Sequence, residues 1–181
     1  MKLMFIADIH GSLHYTRRAL ELFEKEDADH LLLLGDILYH GPRNPLPRDY
    51  DPAEVALAFN SYAERIVAVK GNCDSEVDEM VLDFPLAAVL STVFLEGRRI
   101  LMTHGHIYNG DLRPPLNRGD VMLCGHTHIP ALGKKDGIYI ANPGSLSLPA
   151  GDHYRSYGLL DAGSICIKDL EGKLREELSL C

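Results

Sequence analysis

Side chains able to hold a metal ion recur along this chain in short clusters: Asp8-Ile9-His10, Gly35-Asp36, Gly71-Asn72-Cys73-Asp74, His104-Gly105-His106 and Gly125-His126-Thr127-His128. Each follows an apolar, strand-like run, and each has glycine within or beside it, where a tight turn brings backbone close to a ligand. The donors are Asp8, His10, Asp36, Asn72, His104, His126 and His128. Carboxylates, an amide and imidazoles, without a cysteine pair, make a mixed oxygen–nitrogen site. Such a set suits Mn, Fe, Zn, Ni or Co better than Ca or Mg. Seven donors exceed the needs of one four-coordinate ion and match two ions sharing a carboxylate. Paired ions about 3.5–4 Å apart are the common arrangement for phosphoryl transfer to water. Taken singly, a Gly-Asp turn, an asparagine in a left-handed turn or a loop histidine has an ordinary structural explanation. The pair His126 and His128 behind a buried strand is more telling, and the ordered set is more telling still.

These clusters meet only if the fold gathers strand ends. Lys2 to Ala7 reads as a buried strand, residues 13–25 have helical spacing with Ser12 placed to cap them, and Leu31 to Leu34 reads as a second strand. That is a βαβ unit, which predicts parallel, buried strands. The stretch 37–51 carries Pro42, Pro45 and Pro47 and is expected as a loop, followed by a helix over 52–63 and a third strand at 66–69. Short strands are expected at 89–95, 99–103, 121–124, 138–141, 157–161, 164–169 and 174–178. An α/β first half and a strand-rich second half predict two facing sheets with helices outside. In open α/β sheets the carboxyl ends of strands form the ligand crevice, which is where the clusters fall.

Composition narrows the partners. The 181 residues are 46% hydrophobic and 24% charged, close to the globular average, and no linker or repeat divides them, so a single domain over 1–181 is expected. A formal charge of −8 works against tight binding to a long nucleic-acid backbone, but not against a small phosphorylated substrate beside metal cations. No apolar run approaches the roughly 20 residues of a membrane span, and the apolar start is too short for a signal-peptide core, so a cytoplasmic protein is expected. Cys73, Cys124, Cys166 and Cys181 are far apart; disulfides and a zinc ribbon are not expected, and Cys124 and Cys166 read as small core residues.

The ordered set D-x-H, G-D, G-N-x-D, H and G-H-x-H resembles the signature of the calcineurin-like metallophosphoesterase superfamily over residues 8–128. Asn142-Pro143-Gly144-Ser145, the short length and the His-Gly-His extend the resemblance to its branch of small bacterial phosphodiesterases. The resemblance implies an α/β fold, a four-layer α/β/β/α sandwich of two mixed sheets flanked by helices. It implies that Asp8, His10, Asp36 and His128 hold one metal, and that Asp36, Asn72, His104 and His126 hold the other. It further implies hydrolysis of phosphate diesters by a hydroxide bridging the two ions, most simply manganese. A phosphomonoesterase using the same site is the nearest rival. The retromer scaffold subunits, similar in length and in the same small motifs, offer a non-catalytic alternative; their lineage departs at the bridging aspartate and the asparagine, whereas Asp36 and Asn72 are present here.

Most of the superfamily carries histidine where this chain has Cys73, beside the leaving group. A thiol with an ordinary pKa near 8.5 is a poorer proton donor at neutrality than an imidazolium near 6.5, so good leaving groups are expected to be favoured. His106 is a candidate to assist the leaving group or to orient its loop, and Asp74 to accept hydrogen bonds that orient its loop or a histidine. The 40–48 stretch either covers the pocket, bringing Arg43 and Arg48 to substrate phosphate, or is a solvated loop or subunit contact. Association through strand edges, giving a homo-oligomer, is also open.

Overall fold

A computed structural model describes residues 1–180; Cys181 lies outside the described residues. The first sheet has six strands in the order β11-β10-β9-β1-β2-β3, built from β1 (Leu3–Ile6), β2 (His30–Leu33), β3 (Ile66–Ala68), β9 (Ser156–Leu160), β10 (Ser164–Asp169) and β11 (Leu174–Ser179). The second has five in the order β4-β5-β6-β8-β7, from β4 (Leu90–Leu95), β5 (Arg98–Thr103), β6 (Val121–Leu123), β7 (Pro130–Lys135) and β8 (Ile138–Pro143). β1, β2 and β3 are mutually parallel, as the βαβ reading requires, and so are β5, β6 and β8. Both sheets are mixed, with antiparallel strands at their margins.

Alternation along the central strands sorts the side chains into two cores. Met4, Ile6, Leu31 and Leu33 face helices α1 (Leu13–Lys25) and α2 (Pro52–Asn60), meeting Leu22, Phe23, Val55 and Phe59. Leu3, Phe5, Leu32 and Leu34 face the other way and pack between the sheets on Ile100, Met102, Val121 and Tyr139. Residues buried on both faces of β1 and β2 explain their continuous apolar runs. Ser12 caps α1 by accepting the Tyr15 N–H at 3.5 Å, and its own hydroxyl donates to the Arg48 carbonyl at 2.6 Å. Asp51 caps α2, with Pro52 in the first turn.

The two facing mixed sheets agree with the expected α/β sandwich, and three local differences have physical causes. Helix α2 stops at Asn60 because Ser61 bonds back to the Leu57 carbonyl and Tyr62 to that of Phe59; a 3₁₀ turn follows at Ala63–Arg65. Strand β7, with proline first, glycine inside and two lysines last, lacks the β-rich composition of a strand, but it pairs only with β8 and so occupies an edge, where those residues are tolerated. Both helices lie on one outer face. The opposite face, where Leu101 and Met122 are buried, is covered by coil, with Gly110 lying against Ile140.

Candidate metal centre

Every cluster singled out by its donors lies beyond the carboxyl end of a parallel strand: Asp8 and His10 after β1, Asp36 after β2, Asn72 after β3, His104 after β5, and His126 and His128 after β6. The turns carrying them are sharp. Asp8, His10, Asp36, His126 and His128 all have positive φ, between 52° and 70°, a region that costs a non-glycine residue energy and clusters at functional sites. Close approach makes two glycines obligatory: a Cβ on Gly71 would lie 2.1 Å from Asp36 Oδ1, and one on Gly125 would lie 2.9 Å from Asp8 Oδ2.

Hydrogen bonds aim the rings. His10 Nδ1 donates to the Tyr39 carbonyl (2.9 Å), His104 Nδ1 to the Leu34 carbonyl (2.7 Å) and His128 Nδ1 to the Leu148 carbonyl (2.5 Å). Each contact places a proton on Nδ1 and turns Nε2 inward. Asp8 Oδ1 lies 3.2 Å from His128 Nε2, 3.8 Å from His10 Nε2 and 3.9 Å from His104 Nε2. Asp36 Oδ2 lies 3.4 Å from His104 Nε2 and 3.8 Å from His10 Nε2, and Asn72 Oδ1 lies 3.0 Å from His104 Nε2. His10 Nε2 and His128 Nε2 are 3.2 Å apart.

This arrangement fits cations. Asp8 is fully buried, yet among the described residues its Oδ1 has no hydrogen-bond partner. Two imidazole Nε2 atoms facing each other, and an orphaned carboxylate oxygen, are costly unless a proton or a cation lies between them. Two groups, Asp8–His10–His128 and Asp8–Asp36–His104, each bring ligand atoms within 4.8 Å of one another. A third unites His10, Asp36 and Cys73, a ligand position for the thiol that the reading of the residues did not weigh. His126 belongs to none of these groups; its N–H donates to Asp8 Oδ2 at 2.9 Å, and its ring stands 5.1 Å from that of His104 and lines the cleft.

Charge states follow the same packing. Burial alone would push Asp36 up, but His104 and the Cys73 N–H hold its carboxyl well below the usual carboxylate range. Burial opposes protonation of His104, yet Asp36 and Asp8 raise it to about 9. Burial lowers His10, whereas Asp8 carries His128 upward against burial. Burial and the Asp36 carboxylate push the Cys73 thiol up to about 12. Burial and then the neighbouring His104 lower His106, whose buried Nδ1 has no partner among the described residues and whose ring lies 5.3 Å from that of His104.

Asp74 accepts the backbone N–H groups of Asp36 (2.8 Å), Ile37 (2.7 Å) and Gly71 (2.7 Å), clamping the second turn to the third. Further positioning residues come from a segment to which the sequence assigned no role. Ser145 and Ser147 donate to the Asp8 carbonyl, and Asn142 Nδ2 donates to the Gly125 carbonyl and to Thr127 Oγ1. The only signal for them was Asn-Pro-Gly-Ser after a strand. A cleft of ≈ 590 Å³ opens over the centre, lined by Arg43 and Asn44 as well as by Asn72, Cys73 and His128. Arg48 is exposed and faces Asp49 at 3.9 Å, away from this lining.

The chain belongs to the calcineurin-like phosphoesterase superfamily, whose domain matches residues 1–164, and the family implies divalent metal ions in such a site. Among relatives, the phosphodiesterase YfcE of Escherichia coli (strain K12) is 52% identical over 161 residues, covering 89% of this chain and 88% of that one. The fold superposes on a solved structure of Yfce, a phosphoesterase from E. coli, with TM-score 0.97, 46% identity and full coverage of both chains. A zinc-complexed Vps29 from Entamoeba histolytica shares the fold at TM-score 0.65 and 20% identity, again over the whole of both chains.

Proposed function

We propose that the protein is a phosphodiesterase that hydrolyses small phosphate diesters at a centre of two divalent ions, Mn²⁺ most simply. One ion would be held by Asp8, His10, Asp36 and His128, and the other by Asp36, Asn72, His104 and His126, with Asp36 shared. The observation that carries this reading is the buried, partnerless Asp8 Oδ1 facing three inward-turned imidazoles. Similarity to YfcE supports the choice of diesters. When bound, the ions supply Lewis-acid charge at the phosphoryl oxygens and lower the pKa of a water that attacks phosphorus.

The chain's own residues hold and aim that centre. Asp74 ties the Asp36 and Gly71 turns together, and Ser145 and Ser147 hold the Asp8 backbone. Arg43 lines the cleft, where its charge would meet phosphate. His106 is not part of that lining and stands beside His104, which favours a role in orienting its loop over serving the departing oxygen. Cys73 is a poor proton donor at neutrality, so aryl esters are the better substrates. Residues 1–181 form one catalytic domain in this reading, supported by the return of β9, β10 and β11 beside β1. Its acidity favours small substrates over long nucleic acid. We place it in the cytoplasm, where isolated thiols such as Cys73, Cys124 and Cys166 stay reduced; among the described residues no helix is long and apolar enough to cross a membrane. Whether copies associate is read from its mass in solution.

Turnover of bis(p-nitrophenyl) phosphate against p-nitrophenyl phosphate by the Mn²⁺-loaded protein tests the reading. Preference for the diester, abolished in Asp36→Asn, is expected. Preference for the monoester makes it a phosphomonoesterase; absence of both metal uptake and hydrolysis leaves the non-catalytic scaffold alternative.

A further inference from the structure

A second depression of ≈ 400 Å³ adjoins the cleft, and Tyr39 and Ser75 line both. Its walls are apolar: Leu38, Tyr50, Pro52, Val77 and Val81. Large apolar side chains are left in solvent here, with Val77 65% exposed, Val81 49% and Tyr39 42%. Such a cluster beside a polar centre forms an apolar recess with the chemistry of a small-molecule subsite. The shared wall is held to the centre on both sides. The Tyr39 carbonyl accepts from His10 Nδ1, and Ser75 directly follows Asp74, which clamps the Asp36 and Gly71 turns.

Charge limits what can lie there. Asp78 is the one charged residue in the lining, and its carboxylate is occupied by the Ser75 N–H (2.9 Å) and hydroxyl (3.0 Å). It offers an anionic group nothing but repulsion. Among the described residues no lysine or arginine lines the groove to receive a second phosphate. On the other side of the cleft, Asn44 and His128 border a depression that carries His153 and Arg155, so the two exits differ in polarity.

A diester presents two organic groups flanking one phosphoryl centre, and the cleft shares its walls with two depressions that could each receive one of them. We infer that the groove of Leu38, Tyr39, Tyr50, Val77 and Val81 is a specificity site for one uncharged apolar group of the diester, a ring or an alkyl chain. This rests on the phosphodiesterase reading above. It selects esters with an apolar arm over those bearing a further phosphate.

Two inhibitors with the same monoanionic phosphorus centre test it: methyl phenylphosphonate and methyl methylphosphonate, competed against bis(p-nitrophenyl) phosphate on the Mn²⁺-loaded protein. The phenyl compound is expected to bind at least about tenfold more tightly, as burial of most of a ring predicts. Val77→Asp and Val81→Asp, both at exposed positions, are expected to bring the ratio to within about twofold. Leu112→Asp, at an exposed apolar position elsewhere, is expected to keep it. Equal inhibition in the unmodified protein overturns the groove assignment while leaving the phosphodiesterase reading standing. So does a ratio that survives both groove substitutions, or a groove substitution that changes only the mass in sedimentation, which would make the face a contact between copies. Absence of Mn²⁺-dependent hydrolysis overturns the functional reading, and the groove assignment with it.

Discussion

Cys73 occupies the position from which most of the superfamily resembled here presents an imidazole, and its surroundings keep it a thiol. In the metal-free protein, burial and the carboxylate of Asp36 push its pKa up to about 12, so thiolate is scarce there near neutrality. In chelator-treated protein, alkylation of Cys73 by iodoacetamide is expected to keep rising through pH 10 without a plateau; saturation near pH 8 would show an ordinary thiol. Cys73→His restores a group that titrates near neutrality, and general acid catalysis is worth about 10²–10⁴-fold. Turnover of diesters with alkoxide leaving groups is expected to rise at least about tenfold in that variant, with smaller change for aryl esters. Unchanged rates on both would remove leaving-group protonation from the account. Asp74 makes a different kind of contribution, since it accepts three backbone N–H groups that join two turns.

At the level of elements, the strand ends and their donors were readable because each cluster is contiguous and follows an apolar run, so local sequence carries it. Glycine at 71 was readable as a turn former, but not as the residue that leaves room for Asp36 Oδ1. Gly71→Ala is expected to displace Asp36 and cost most of the Mn²⁺ affinity, measured by calorimetry, while the far-ultraviolet circular dichroism stays near that of the unmodified protein. What stayed illegible depends on distant partners. Strand β7 is defined by its pairing with β8 rather than by its Pro-Ala-Leu-Gly-Lys-Lys composition. Likewise Ser145 becomes meaningful only when β8 delivers it to the Asp8 carbonyl. The end of α1 is tied to the sheet in the same long-range way: Glu26 accepts from Tyr157 at 2.7 Å and from Lys168 at 2.9 Å. Burial works to raise the Glu26 carboxyl, but those two partners outweigh it and hold the group below its usual value. A depressed carboxylate stabilises the fold above its unfolded pKa and loses that contribution as pH falls through the folded one. Glu26→Gln is therefore expected to cost roughly 1–2 kcal/mol in urea denaturation near pH 7, with the difference shrinking below about pH 4. A gap independent of pH would assign the effect to packing.

On the scale of the whole molecule, the two sheets gather the carboxyl ends of five strands into one place, and with them an excess of inward-facing electron pairs. Folding without a cation must accommodate the buried Asp8 Oδ1 and the opposed His10 and His128 nitrogens. Protons relieve part of that strain in the metal-free protein. Burial resists it, but the Asp36 and Asp8 carboxylates keep His104 protonated up to about pH 9, and Asp8 raises His128 in the same direction. In the proposed centre, proton and cation would compete for the same nitrogens, which gives a sign to both pH and metal dependence. Mn²⁺ binding at pH 7.5 is expected to release about one proton or more, seen as a calorimetric enthalpy that varies with the ionisation enthalpy of the buffer. Affinity is expected to weaken as pH is lowered from 9 toward 6. Because the unfolded chain has no such site, binding is also stabilisation: at a hundredfold excess over Kd it adds about 2.7 kcal/mol. For a chain of this length that raises Tm by roughly 5–10 °C, and a chelator should reverse it. Asp36→Asn is expected to lose most of the proton release and the Tm shift together. A metal-induced rise in Tm without proton release would mean that the cation binds elsewhere than on these imidazoles.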